Sequence, residues 1–145
     1  VKRFMADPNN ALVTRARRLG LPLVDHARIP NSLRAHEATE FARAHGRLEA
    51  FHRAVLEAYW ARGEDLSTWP VLRAAASEAG LDADQLEAEV SAGQWRATTA
   101  ELLREARELG VTAVPTFLVG DRFVIQGAQE ARVFRHAFER LLRGP

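Results

Sequence analysis

The 145 residues carry 20 basic and 19 acidic side chains, a formal net charge of +1 with neutral histidines, and no cysteine. Such a balance gives no global pull toward nucleic acid or an anionic membrane, no apolar run approaches the ~18 residues that span a bilayer, and the missing cysteines exclude disulfides, thiolate metal sites and a thiol nucleophile within these residues. With 47% hydrophobic residues there is material for a core, and the length suits one domain, or one domain and part of another.

At the start, Val1-Lys2-Arg3-Phe4-Met5 has no apolar signal core behind it, which leans the expected compartment toward the cytoplasm. Asp7-Pro8-Asn9-Asn10 reads as a turn and cap ahead of a helix from Ala11 to Leu19, stopped by Gly20. Leu21 to Val24 is apolar and extended. Asn31-Ser32 is expected to cap the next helix, with Leu33, Ala38, Phe41 and Ala42 on one face until Gly46. A further helix is predicted from about Arg47 to Arg62, with Phe51, Val55, Ala58 and Tyr59 at helical spacing and Gly63 as its stop. Thr68 is expected to cap a helix starting at Trp69-Pro70, where proline is favoured in the first turn, and ending at Gly80. Asp82 with Gln85 resembles a capping box for a short helix toward Val90. Gln94-Trp95 opens a longer helix that closes at Gly110. Two strands follow, Thr116 to Val119 and Arg122 to Gln126, with two-residue turn chemistry at Gly120-Asp121. A last amphipathic helix, Glu130 to Leu142, is expected to place Val133, Phe134, Phe138, Leu141 and Leu142 inward.

Most candidate chemistry reads as ordinary structure. His26, His36, His45, His52 and His136 are scattered, none at metal-ligand spacing from a second histidine or a carboxylate, so no metal site is expected. Glu37 and Glu40 near His36 are helix-surface chemistry. Arg15, Arg17 and Arg18 lie at a helix C-terminus, where cations are favoured. Trp60, Trp69 and Trp95 read as a packed helical cluster before a binding groove. Gly127-Ala128-Gln129 has the wrong spacing for a phosphate loop, and no serine sits in a nucleophile elbow. No catalytic residue is assigned. Val114-Pro115 is the exception. Proline cannot donate to a ladder, so at the mouth of an apolar strand it is either a cis bond holding a tight turn or a trans turn before the strand.

Gly110-Val111-Thr112-Ala113-Val114-Pro115-Thr116-Phe117-Leu118-Val119, a short turn, and Val124-Ile125-Gln126-Gly127-Ala128-Gln129 resemble the C-terminal half of a DsbA-like thioredoxin-fold protein. The FrnE-like branch is similar in ending its hairpin in Gly-Ala-Gln. Upstream, Ile29-Pro30-Asn31-Ser32 with Ala35-His36 and an Ala/Phe-rich helix to Gly46 resembles the start of that family's helical insertion. Ala58-Tyr59-Trp60, Gly63-Glu64-Asp65-Leu66 and Gly80-Leu81-Asp82 also fall where the family has similar residues. Nearly the whole chain is covered. Val-Pro-Thr-Phe is the specific part.

The resemblance implies an α/β, thioredoxin-like fold with a large all-helical insertion, this chain being mostly helical with one β-hairpin and a C-terminal helix. Residues 1–28 would lead into the insertion, 29–93 form it, and 94–145 be the C-terminal part of the thioredoxin-like domain. It implies a cis bond at Val114-Pro115, and a substrate site at Val114, Pro115 and Thr116, where backbone pairs with a peptide or protein by strand addition. The family's catalytic Cys-X-X-Cys, whose thiolate attacks a disulfide, would precede residue 1. The first functional expectation is therefore a thiol-disulfide oxidoreductase or isomerase seen without its redox cysteines, the isolated chain being redox-inactive and needing no cofactor. The second is a glutathione-dependent transferase or isomerase, similar to 2-hydroxychromene-2-carboxylate isomerase and kappa-class glutathione transferase, with a serine replacing the first cysteine and glutathione as cofactor. The third is a non-catalytic, chaperone-like peptide-binding module. Expected partners exclude nucleic acid and membrane. If nothing precedes Val1, the apolar hairpin edge is expected to pair in a homodimer; if a segment precedes it, the sheet is completed within a monomer.

Overall fold

The computed structural model describes residues 10–24, 26, 29–120 and 122–144. The sequence readings at Val1–Met5, Asp7–Asn9 and Asp121 lie outside the described residues. Among these, seven helices and two strands form: α1 (Ala11–Arg18), α2 (Leu33–Ala44), α3 (Leu48–Trp60), α4 (Trp69–Glu78), α5 (Ala83–Ser91), α6 (Arg96–Glu108), β1 (Thr116–Val119), β2 (Phe123–Gln126) and α7 (Ala131–Leu142). The chain divides into two compact units, 1–100 and 101–145, the division falling inside α6.

The first unit is an α-helical bundle in which α3 packs on α2 and α4, and α5 on α2 and α4. Phe41, Phe51, Leu72 and Leu86 are fully buried in one cluster with Val55, and Tyr59 packs against it. Ala38, Ala42, Ala58, Ala75 and Ala76 are buried completely. Their small side chains let the helix backbones approach closely while the few large residues fill the space between. Leu33, expected on the same buried face of α2, is instead exposed in the first turn. The burial of α2 extends to Glu37 and Glu40. Neither is left unpaired: Glu40 accepts from Arg43 Nε at 2.9 Å, and Glu37 lies 3.7 Å from Arg96 Nε, as a charge taken out of water requires.

The helix starts differ in detail from the motifs. Asn10 caps α1, its Oδ1 accepting from Leu12 N and Val13 N. Asp82 caps α5 through Asp84 N and Gln85 N, but Gln85 donates onward to Glu89 Oε1, so only half of a capping box forms. Thr68 occupies the N-cap of α4 without capping it; its hydroxyl donates to Asp65 O. Pro70 has already removed one donor that such a cap would serve. At α2, Asn31 Oδ1 takes the Leu33 amide, and Ser32 Oγ bonds His36 Nε2 instead.

In the second unit β1 and β2 pair antiparallel, from Thr116 opposite Gln126 to Val119 opposite Phe123. Three residues therefore separate the strands, one more than the two-residue turn expected, because Arg122 belongs to the turn and not to β2. Gly120 opens that turn at φ +56, a conformation that favours glycine, and a Cβ there would also crowd Leu141 Cδ1 of α7 at 3.0 Å. Directly opposed residues share a face. Phe117, Val119, Phe123 and Ile125 lie on the face packed with α7, where Val119, Ile125 and Ala137 are buried beside Phe134 and Leu141. Phe117 meets Phe134 edge to face at 4.9 Å. Leu118 and Val124 lie on the opposite face and are exposed.

The inward face of α7 is narrower than the sequence suggested. Ala137 is buried and Phe134 and Leu141 partly so, whereas Val133, Phe138 and Leu142 are exposed. Positions 134, 137 and 141 form one narrow stripe at helical spacing, and 133, 138 and 142 fall on its flanks. A sheet of two strands covers the stripe and leaves the flanks bare within this unit.

Candidate functional site

The segment between α6 and β1 is held by bonds at both of its ends. α6 ends with Gly110 at φ +73. The Gly110 amide donates to Arg107 O and the Val111 amide to Ala106 O, the paired closure that a left-handed glycine permits at a helix C-terminus. The chain then crosses Thr112 and Ala113, reaches a cis Val114-Pro115 bond, and enters β1 at Thr116.

Three carbonyls of this segment are tied to the hairpin. Thr116 Oγ1 donates to Ala113 O at 2.6 Å, the Gly127 amide donates to Pro115 O at 2.7 Å, and Gln126 Nε2 reaches Gly110 O at 3.5 Å. Behind them, Gln129 Nε2 donates to Gln126 O, fixing the Gly127-Ala128-Gln129 return. The free groups are as informative. Among the described residues, no partner is found for the amides of Thr112, Ala113 and Val114 or for the Val114 carbonyl. The Val114 side chain is 88% exposed. The Ala113 and Pro115 carbonyls on either side are thus held, while the Val114 amide and carbonyl between them are left without a partner among the described residues.

Of the three residues assigned from sequence, Val114 therefore presents free backbone, Pro115 is held by its carbonyl, and Thr116 uses its hydroxyl within the loop. Sequence reading missed Gln126 as a partner of this loop, because its place opposite Thr116 depends on the strand register.

The other candidates do not gather into a site. His45 Nδ1 bonds Phe41 O at 2.8 Å, and His26 stacks on Tyr59 with ring centroids 3.8 Å apart. Among the described residues no cluster of histidine, aspartate or glutamate could hold a metal ion. Trp95 donates to Glu89, and Trp69 lies under the Arg34 guanidinium at 4.6 Å; both pack against the helical core. Trp60 instead lines a groove of about 1340 Å³ in the first unit, together with Leu12, Leu21, Leu23, Leu48 and Leu56. The guanidinium of Arg73 is held above its usual value by Asp84 and then Glu87, that of Arg104 by Glu101 and then Glu108, and that of Arg62 chiefly by Glu64. All three belong to surface ion pairs and none to the loop. Among the described residues no helix is long and apolar enough to cross a membrane.

A helix ending in glycine, a cis X-Pro turn, an antiparallel hairpin and a helix laid on one of its faces define the C-terminal motif of a thioredoxin-like fold. The chain belongs to the DSBA-like thioredoxin domain family, whose sequence model matches residues 7–139. It is 29% identical over 104 residues to the uncharacterized protein YwbO of Bacillus subtilis (strain 168), an alignment covering 71% of this chain and 52% of that protein. Among solved structures it is similar to the probable DsbA oxidoreductase SCO1869 from Streptomyces coelicolor, with a TM-score of 0.75 and 28% identity over 91% of this chain and 58% of that one. It is equally similar to a 2-hydroxychromene-2-carboxylate isomerase, with a TM-score of 0.76 and 27% identity over 90% of this chain and 64% of that one. The chain thus spans between 52% and 64% of the length of these relatives.

Proposed function

We propose that these residues form the peptide-holding part of a thiol-disulfide oxidoreductase or isomerase of the FrnE-like branch, working in the cytoplasm, with the redox cysteines supplied by polypeptide outside the 145 residues. The observation that carries this reading is the Ala113–Thr116 loop, which holds its flanking carbonyls and leaves the Val114 backbone free and exposed. An extended substrate pairs with Val114 by strand addition, and Pro115 and Thr116 set its direction. A thiolate from elsewhere attacks the substrate disulfide; the S–S bond breaks, a mixed disulfide forms, and the departing sulfur leaves as a thiolate.

The likeness to an isomerase structure supports a second reading, in which the same loop receives the backbone of glutathione and the reaction is isomerisation or transfer. A third keeps peptide binding without catalysis. Tryptic sequencing and intact mass of the native gene product separate them. A Cys-X-X-Cys upstream supports the first reading, a lone serine or cysteine the second, and a product beginning at Val1 the third.

One physical consequence concerns the isolated chain. Among the described residues β1 pairs only with β2, a two-stranded sheet is marginal in water, and the edge through Phe117-Leu118-Val119 is apolar. The purified 145-residue chain is expected to self-associate through that edge, seen as a dimer by sedimentation velocity. A stable monomer at high concentration would show that the edge is protected without a partner strand.

A further inference from the structure

We propose that Thr116 and Gln126, opposed across the first rung of the hairpin, are positioning residues that set the shape in which the Thr112–Val114 backbone meets an extended peptide. This inference rests on the peptide-holding reading above. A threonine hydroxyl returning to a carbonyl three residues back is a common local device. Here it is one of three ties: those at Ala113 O and Gly110 O come from the two residues of one rung, Thr116 and Gln126, and the third, at Pro115 O, comes from the Gly127 amide that follows Gln126. The result is selective. Carbonyls at 110, 113 and 115 turn toward the hairpin and are consumed, while the amides of 112, 113 and 114 stay free.

The two residues do not contribute equally. The Thr116 bond at 2.6 Å is short and local. The Gln126 contact at 3.5 Å is at the outer limit of a hydrogen bond and engages a long side chain with more rotamer freedom to lose. Thr116 is therefore the principal tie and Gln126 the secondary one. Neither touches a reacting atom; both act through carbonyls that flank the free amides, Thr116 at Ala113 O and Gln126 at Gly110 O.

The test uses the full 145-residue chain with Thr116→Val, which keeps the shape and β-branching but removes the hydroxyl, and with Thr116→Ser, which keeps the hydroxyl. The first readout is hydrogen exchange at the Gly127 amide, whose acceptor is Pro115 O. Thr116→Val is expected to speed this exchange about 3- to 10-fold, the scale of one hydrogen bond, with the rest of the hairpin unchanged and Thr116→Ser close to wild type. Unchanged Gly127 exchange in Thr116→Val overturns the inference, as does uniform acceleration of every hairpin amide, which would make Thr116 a general stabiliser. Gln126→Met is expected to give the same pattern at about 2-fold or less, and an effect larger than that of Thr116→Val overturns the ranking. The second readout is binding of S-carboxymethylated insulin B chain. Binding weakened by the same ratio as the exchange supports the inference; faster exchange with unaltered binding contradicts it. Failure of the wild-type chain to bind this peptide rejects the peptide-holding reading itself, while Gly127 exchange still decides whether Thr116 holds the loop.

Discussion

Replacing Phe41 with alanine is expected to destabilise the helical unit by about 3–5 kcal/mol, the usual cost of removing a buried phenylalanine. The ring is fully buried, stands edge-on to Trp95 with centroids 6.1 Å apart, and meets the His45 ring at 4.1 Å. The buried cluster it belongs to is rich in alanine, whose short side chains have little reach to fill the space left by a phenylalanine. Domains of this size hold only about 5–15 kcal/mol in total, so the variant would be close to unfolding at 37 °C. Urea titration followed by far-UV circular dichroism measures the change. Leu142→Ala, at a residue 86% exposed, is the control and should stay within about 0.5 kcal/mol. A loss below about 1 kcal/mol for Phe41→Ala would mean that the bundle is not organised around this residue.

The second large effect is an absence of activity. Thiol-disulfide exchange needs a thiolate that attacks one sulfur of a disulfide and expels the other, and these residues contain no cysteine. The isolated chain is expected to reduce insulin and to refold scrambled ribonuclease at the uncatalysed rate, at any pH between 6 and 9. Histidines, serines and the exposed Thr116 hydroxyl do not substitute for a thiol here, because the chemistry passes through a sulfur–sulfur bond. Turnover above background with the purified chain would contradict the account, because no residue present can carry the exchange.

Much of the fold was legible because its punctuation is strong. Gly20, Gly46, Gly63, Gly80 and Gly110 each stop a helix, and each adopts positive φ, a conformation that glycine reaches without a Cβ penalty. Two short apolar runs, read as Thr116 to Val119 and Arg122 to Gln126 about Gly120-Asp121, marked the hairpin, and helical spacing picked out Phe41, Phe51 and Val55. Burial on α7 was less legible. Spacing reveals how wide an apolar stripe is, but not how much of it a neighbouring sheet covers, so Phe138 and Leu142 were read as inward and are exposed. The caps at Thr68 and Gln85 failed for a related reason. A motif names a donor and an acceptor, and other partners nearby, Asp65 O and Glu89, won those side chains.

The loop was legible as a place and not as a mechanism. Val114-Pro115 ahead of an apolar strand marks a special turn in the sequence alone. That Thr116 spends its hydroxyl on Ala113 O, and that Gly127 closes on Pro115 O, depends on the strand register and on the path of the three-residue turn, neither of which has a compositional signature. The burial of Glu37 and Glu40, each held by an exposed arginine, Arg96 and Arg43, was hidden in the same way, since on a helical wheel both glutamates pass for surface residues.

The central claim is that the backbone between Thr112 and Thr116 receives an extended peptide. Nuclear magnetic resonance of the isotopically labelled 145-residue chain, titrated with S-carboxymethylated insulin B chain, tests it most directly. The account predicts the largest amide shifts at Thr112, Ala113 and Val114, with the Val114 amide moving downfield as it gains a hydrogen bond. Shifts confined to the groove lined by Leu12, Leu56 and Trp60, or no shifts at peptide concentrations up to about 1 mM, would contradict it.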